Sequence, residues 1–462
     1  MNQYASFWFK RLAVFLSLPF CLCLAGPSSA QTPKEQLTLG RAVALALETN
    51  QLVKAADLGV QAAEAQTRVA FSGYLPKVSF DYNITRGNNP VYVFGTLLTQ
   101  GRFTAANFAL SSLNHPTPLT NFQNRFSLNQ SLFDFGRTRK AVTRSRVGRD
   151  LSETELEKTR QDLIFRVFKS YFETLLAHEM ALVAEDAKKS AAADRKKAEA
   201  LFEAGLAVES DLLSVQVHHA AQSEELVKAR NQLNLASSNL NFEMGVPLSG
   251  SYELVKPQGP YQAENSDLGS LQELALELRP DFKQAQLANR SSELGVQSAK
   301  ADFWPTVSAF GTWETDSENF ASNGGNNWVA GVNVHFNLFN GRADKAHLEE
   351  NRLRQRRSSA MQDHLAQAVR LQVQKAHLDL ETAGQRIEVN QQATRQAEES
   401  LRIIRNRYEA GLTTVTDLLR AESAVTQART NFLRALFDQR VSAANLELQT
   451  GRLSTASRIL RD

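Results

Sequence analysis

Along this chain the spacing of apolar residues alternates between two periods, and it does so twice in the same order. Over residues 39–74 the apolar positions recur every three to four residues, with Leu39, Val43, Ala46 and Leu47 on one face. That spacing predicts a helix, ended by Pro76 because the residue before a proline is pushed out of the α region. Over residues 77–86 the period drops to two: Val78, Phe80, Tyr82 and Ile84 alternate with Ser79, Asp81, Asn83 and Thr85. This is a strand with one apolar and one polar face. A polar stretch punctuated by Gly and Pro runs to Thr120, and then Phe126, Leu128 and Leu132 alternate with polar neighbours as a second strand. After Asp134-Phe135-Gly136-Arg137 the pattern is helical to about Ala204. A turn at Gly205 leads to another helix over 209–244, stopped by Gly245-Val246-Pro247.

The same programme restarts at Leu268. Leu39-Gly40 corresponds to Leu268-Gly269 and Tyr74-Leu75-Pro76 to Phe303-Trp304-Pro305, both 229 positions on. The turn Phe202-Glu203-Ala204-Gly205-Leu206 returns 206 positions on as Tyr408-Glu409-Ala410-Gly411-Leu412. The offset falls by 23 between the strands, so the first hairpin carries about that many extra residues. The division expected is a leader over 1–30, a first repeat over 31–245 with a hairpin at 77–133 and a tip at 204–208, a linker over 246–267, and a second repeat over 268–462 with a hairpin at 306–339 and a tip at 410–414. In the second copy Val307 and Trp313 mark the third strand, and Val332, Val334, Phe336 and Leu338 the fourth.

Lengths decide the architecture. At ~1.5 Å per residue the helices over 137–204 and 342–410 each reach ~100 Å, whereas those over 39–74, 209–244, 268–303 and 415–450 reach ~54 Å. Two short helices end to end therefore match one long one, with strands at one end of the rod and the Gly turns at the other. Ala376, Leu380, Ala383, Ile387, Asn390, Thr394, Ala397, Leu401, Ile404 and Tyr408 form a seam spaced four and three alternately. A 3.5-residue period implies left-handed supercoiling against a neighbour. An isolated coiled coil would not end in strands.

Composition narrows the class. In the first thirty of 462 residues, Lys10 and Arg11 precede an apolar run and Ser28-Ser29-Ala30, the pattern of a cleaved secretory leader. Both cysteines, Cys21 and Cys23, fall inside it, which leaves the mature chain with no disulfide framework and no thiolate metal site. Without Lys10 and Arg11 the balance is 50 Lys and Arg against 49 Asp and Glu, which gives no sign of a nucleic-acid partner. No later segment is apolar for eighteen residues, so any membrane entry must be made by strands. Four strands cannot close a membrane barrel, and open edges are not tolerated in hydrocarbon. The edges must pair with other copies, and three chains would supply twelve strands. Trp304, Trp313 and Trp328 cluster at the second hairpin, as aromatics at membrane interfaces do.

The duplicated order, together with Leu-Phe-Asp-Phe-Gly-Arg at 132–137, Leu-Phe-Asn-Gly-Arg at 338–342, the two Ala-Gly-Leu turns and Arg279-Pro280-Asp281, resembles the TolC-type outer-membrane efflux proteins over essentially the whole mature length. The resemblance implies a mainly α fold with a membrane β part: a homotrimer with a twelve-strand barrel in the outer membrane of a Gram-negative bacterium, continued by a twelve-helix periplasmic tunnel. It implies an exit duct for an inner-membrane transporter, reached through a periplasmic adaptor, with no cofactor. The tips Gly205, Leu206, Gly411 and Leu412 would meet the adaptor. In the TolC pattern an aspartate six residues after the first tip glycine links to a tyrosine and an arginine that hold the mouth shut. Asp211 and Tyr408 match the first two, and Thr413 stands at the third. Asp417 matches the first of two pore-lining aspartates, with Arg420 at the second; Asp417 equally fits a helix-capping residue through Thr414.

The enzyme reading fares badly, since His218-His219 and His178-Glu179 lack a His-Glu-x-x-His frame and the histidines read as helix-face residues. A soluble periplasmic adaptor is the alternative, but it would place one helical hairpin between β-rich halves. Arg137, Arg139, Lys140 and Arg144 crowd a helix start where they oppose the dipole, so they are read either as a solvated face or as contacts to anionic headgroups. The stretch 88–120 is oddly apolar, and its pattern fits both a long outer loop and a segment folded over or into a barrel mouth.

Overall fold

The computed structural model describes residues 35–256, 267–320, 322 and 324–460. The expected leader, with Cys21 and Cys23, and linker residues 257–266 lie outside them. In chain order, β1 (Glu35–Leu37), α1 (Leu39–Thr49) and α2 (Gln51–Phe71) lead to β2 (Lys77–Gly87); α3 (Pro90–Thr99) and α4 (Leu110–Asn114) lie between it and β3 (Leu119–Phe133). The long α5 (Arg137–Glu203) and α6 (Glu209–Met244) follow. After β4 (Tyr252–Leu254) the order returns as α7 (Leu268–Leu278), α8 (Pro280–Ala301), β5 (Thr306–Ser317), β6 (Gly325–His335), α9 (Ala343–Glu409) and α10 (Val415–Gln449). Among the described residues no helix is long and apolar enough to cross a membrane.

Two expected helices, over 39–74 and 268–303, are each broken in two. Asn50 has extended ψ, caps α2 by accepting from the Leu52 N–H at 2.8 Å, and donates to the Glu243 carbonyl at 2.9 Å. Arg279 stands at the equivalent break, extended before Pro280 and paired with Asp281 at 2.6 Å. The cause is a repeated packing device. Gly245 ends α6 at φ +71°, and a Cβ there would stand 3.0 Å from the Asn50 backbone; at Gly451, φ +72°, it would stand 2.9 Å from the Arg279 nitrogen. Each break lets a neighbouring helix end seat against bare backbone. Gly245→Ala is expected to cost about 1–2 kcal/mol for the left-handed conformation alone, and more for moving Asn50. Hydrogen exchange at residues 45–55 should be at least tenfold faster than in the wild type; an unchanged rate would remove this explanation of the break.

The core lies where the broken helices meet α5. Leu163, Val167, Phe168, Tyr171 and Phe172 are buried there, with Phe168 and Phe172 centroids 4.6 Å apart. The Tyr171 hydroxyl lies 2.8 Å from the carbonyls of Leu37 and Val255, and burial pushes its pKa up to about 12. It fastens a parallel two-stranded sheet, β1 on β4, that three-residue strands were too short to announce by alternation. The predicted coiled-coil seam of α9 is buried or half-buried at every position and packs along α10.

The other four strands form one antiparallel sheet in the order β2-β3-β5-β6, so both repeats contribute to it. β3 begins seven positions before Phe126 and pairs on both sides. β6 ends at His335, leaving Phe336 and Leu338 beyond it and exposed. Phe310, on the polar face, lies over Gly331, whose added Cβ would meet the ring at 2.9 Å. The basic cluster at the start of α5 has a use that neither expectation included. Arg137 pairs with Asp302 at 3.3 Å, Lys140 donates to the Gln297 carbonyl at 2.9 Å and Arg144 reaches Ser291, so these cations tie α5 to the neighbouring helix.

Candidate functional site

At the strand end the register aligns apolar residues into rows. Phe80, Phe126, Trp313 and Trp328 stand directly opposite one another across all four strands, as do Val78, Leu128, Gly311 and Ala330. Val78 is 69% and Trp328 75% exposed, so among the described residues nothing covers this face. One polar outward row, Asn124 with Thr315, is satisfied laterally at 3.2 Å. Below the sheet Trp304 stacks on Phe135 at 4.9 Å beside Phe133, and above it Phe320 packs edge-on to Tyr82. β2 runs eleven residues from Lys77 to Gly87, and its ten rises set the height of the sheet. At ~3.4 Å each and ~40° tilt they span about 26 Å, the height of a lipid-facing band. The opposite face carries Asp81, Asn83, Arg125, Gln123, Glu314 and Asp316, linked by Arg125–Glu314 at 3.1 Å and Gln123–Asp316 at 3.1 Å.

At the far end the two tips are copies. Gly205 and Gly411 both have φ +71°, and the next N–H turns back to the carbonyl five residues earlier, Leu206 to Leu201 and Leu412 to Arg407, each at 2.8 Å. Such a turn ordinarily tucks its following apolar residue against the helix. Here Leu206 and Leu412 are 76% and 67% exposed, so folding the turn does not account for them. Above the tips Ala198, Val215 and Val415 pack with Leu212, Tyr408 and Leu419. Burial, with the negative charges of Asp211 and Asp194, pushes the Tyr408 pKa up. Asp417 accepts from Thr414 at 2.8 Å and Thr413 at 2.9 Å and caps α10, which lowers its pKa. Thr413 is thereby committed to the cap.

Inward from the tips, six to fifteen residues from Gly205 and Gly411, lies a cluster the sequence did not announce. Glu422 on α10 is 8% exposed in its side chain and receives Arg405 of α9 at 2.6 Å and His218 of α6 at 3.4 Å. Ser190 of α5 joins at 3.3 Å. Asp194, also on α5, faces the same group, and burial and the Glu422 carboxylate push its pKa up to about 7. Burial alone would raise Glu422 too, but hydrogen bonds from His218 and Asp194 and the Arg405 charge hold it down. His218 is therefore no simple helix-face residue, as its spacing suggested, but an interior partner of four converging helices.

A sheet with a bare apolar face at one end, ~100 Å helical hairpins, and exposed tips at the other are the architecture of an outer-membrane channel protein. The chain belongs to the outer membrane efflux protein family, which matches residues 42–246 and 271–452. It is 25% identical to the alkaline protease secretion protein AprF of Pseudomonas aeruginosa, over 89% of this chain and 84% of that protein. It is 21% identical to the outer membrane efflux protein BepC of Brucella suis, over 90% and 86%. The fold is that of the Campylobacter jejuni CmeC outer membrane channel, with a TM-score of 0.77 at 17% identity, covering 92% of this chain and 88% of that one. The protein is an outer-membrane exit channel, and the adaptor alternative is set aside.

Proposed function

We propose that three copies assemble into a continuous duct for a tripartite efflux or type I secretion system, conducting cargo passively from an inner-membrane pump. The observation that carries the assembly is the bare apolar face on a sheet whose edges, β2 and β6, are both eleven residues long and unpaired among the described residues. Edge-to-edge pairing of three sheets gives twelve strands and leaves no open edge in lipid. The rod supports the same assembly. Leu213, Val217, Val227, Leu235 and Phe242 on α6 and Leu371, Leu378 and Val389 on α9 are exposed apolar stripes for a neighbouring subunit. In an outer-membrane fraction an unboiled gel should show a heat-dissociable trimer; a soluble monomer would overturn the reading.

Gly205-Leu206 and Gly411-Leu412 form the adaptor contact, and Asp211 and Tyr408 the periplasmic gate. Thr413 and Asp417 act on that gate by fixing the start of α10. Asp211→Ala and Tyr408→Phe are expected to raise single-channel conductance or open probability severalfold in planar bilayers. Unchanged traces for both would take these residues out of the gate while leaving the duct in place.

A further inference from the structure

The stretch between β2 and β3 does not hang outside the sheet. α3 is capped by Asn89, whose side chain accepts from the N–H groups of Val91 and Tyr92, and has Pro90 in its first turn. It lies against the polar face at the far end of the strands. Its buried side is Val93, Thr96 and Gln100. The Gln100 amide lies 3.0 Å from the Thr120 carbonyl, 2.9 Å from the Asn121 side chain and 3.2 Å from the Ser317 carbonyl, which reach it from β3 and β5. Asn327 of β6 donates to the Thr99 carbonyl at 3.3 Å, and the Tyr92 hydroxyl meets Thr85 of β2 at 2.9 Å. Gly325 opens β6 where a Cβ would stand 1.9 Å from the Thr99 oxygen, so only a residue without a side chain lets the helix end come this close. All four strands therefore hold α3, and they hold it on the wet face.

That choice of face is informative. A helix carrying Val91, Val93, Phe94, Leu97 and Leu98 would cover Val78, Phe80 and Ile84 in a soluble hairpin, because burial of apolar area drives such packing. Instead it crosses the polar side, and its own outer surface stays bare. Val91 is 81% and Leu98 52% exposed, and at 100° per residue both point directly away from Val93, Thr96 and Gln100. Phe94, Phe103 and Phe108 pack edge-to-face in a small cluster that keeps the following loop folded beside the helix.

We propose that α3 is a plug for the outer mouth: the copies from three subunits meet on the threefold axis through Val91 and Leu98 and close the exit. This rests on the trimeric duct above. Twelve strands at ~4.8 Å spacing and ~40° tilt close at a backbone radius of about 12 Å. A helix with its side chains is ~10–12 Å across, so a layer one helix thick on the wall reaches the axis. The occupant of the bare face is the same helix of the neighbouring subunits, because the edges that join the subunits bring three such faces together. Cargo leaving the duct displaces α3 from its amide anchors, and the exit reseals behind it.

The test uses the full chain in intact cells and reads the outer end independently of any gate at the tips. Val91→Cys, placed on a mature chain without other cysteines, is expected to cross-link between subunits with a short bismaleimide, giving dimers and trimers on a denaturing gel. Ser127→Cys, on the polar face below α3, should react with a bulky maleimide dye added outside at least tenfold faster when Leu98→Asp is also present. A normal unboiled trimer with no Val91→Cys cross-links, or with dye labelling equally fast with and without Leu98→Asp, overturns the plug. Loss of the trimer in Leu98→Asp alone leaves the Val91→Cys cross-linking to decide, and absence of a trimer from the unsubstituted chain overturns the duct itself.

Discussion

Val78→Arg is expected to abolish the outer-membrane trimer, while Ser79→Arg, one position along the same strand, leaves it assembled. Val78 is 69% exposed, faces outward in the apolar row and pairs in register with Leu128. Removing its methyl groups costs the monomer little. Placing a guanidinium there costs about 2–4 kcal/mol in lipid, and the threefold axis repeats that cost to roughly 6–12 kcal/mol per trimer. A factor of ten accompanies each ~1.4 kcal/mol, so the assembled fraction should fall at least a thousandfold. Ser79 pairs with Ser127 on the polar face, where an arginine enters water. The measurement is the heat-dissociable trimer in outer-membrane fractions. Equal trimer from both variants would mean that the apolar rows do not face lipid.

That contrast was legible because strand alternation is a local property: Val78 to Ile84 declare their faces without reference to anything distant. The long helices and the α9 seam were legible for the same reason, and the duplication gave each tip a second witness. What the sequence withheld depends on partners far along the chain. Asn50 and Arg279 look like ordinary helix residues until Gly245 and Gly451 arrive against them. The ends of β3 and β6 are set by what they pair with rather than by their own pattern. For α3 the apolar content was visible, but its side of the sheet was not, because the anchors Gln100, Asn121 and Ser317 are brought together only by the register. The tip residues fall between these cases. Asp417 came with its cap, Thr414, three positions away. Asp194, Glu422, Arg405 and His218 come from four helices at separations with no period, so nothing along the chain joins them.

That buried cluster sets a pH-dependent strength for the tip. Glu422→Ala is expected to leave the Arg405 guanidinium and His218 without their shared acceptor. Breaking a buried pair costs about 3–5 kcal/mol. The lower end applies here because the Arg405 side chain is 38% exposed, which is about a hundredfold in local opening. The groups facing one another are Asp194 from α5, His218 from α6, Arg405 from α9 and Glu422 from α10, with the Ser190 hydroxyl beside them. For Asp194 the folded pKa of about 7 stands above its ordinary 3.8. Its contribution to stability is therefore complete below about pH 4 and is lost as pH rises to 7. Glu422 is held below 4.5, so its contribution is present above that value and lost only as pH falls further, outside the window from pH 5 to 8. The tip should accordingly open more easily at pH 8 than at pH 6. Amide exchange over residues 190–200 and 405–425, corrected for the intrinsic rate, should show it. Asp194→Asn removes the carboxylate that charges in this window, so it should exchange slowly at both values and lose the difference. If the variant keeps the wild-type pH dependence, the proton taken up at the tip belongs to another group.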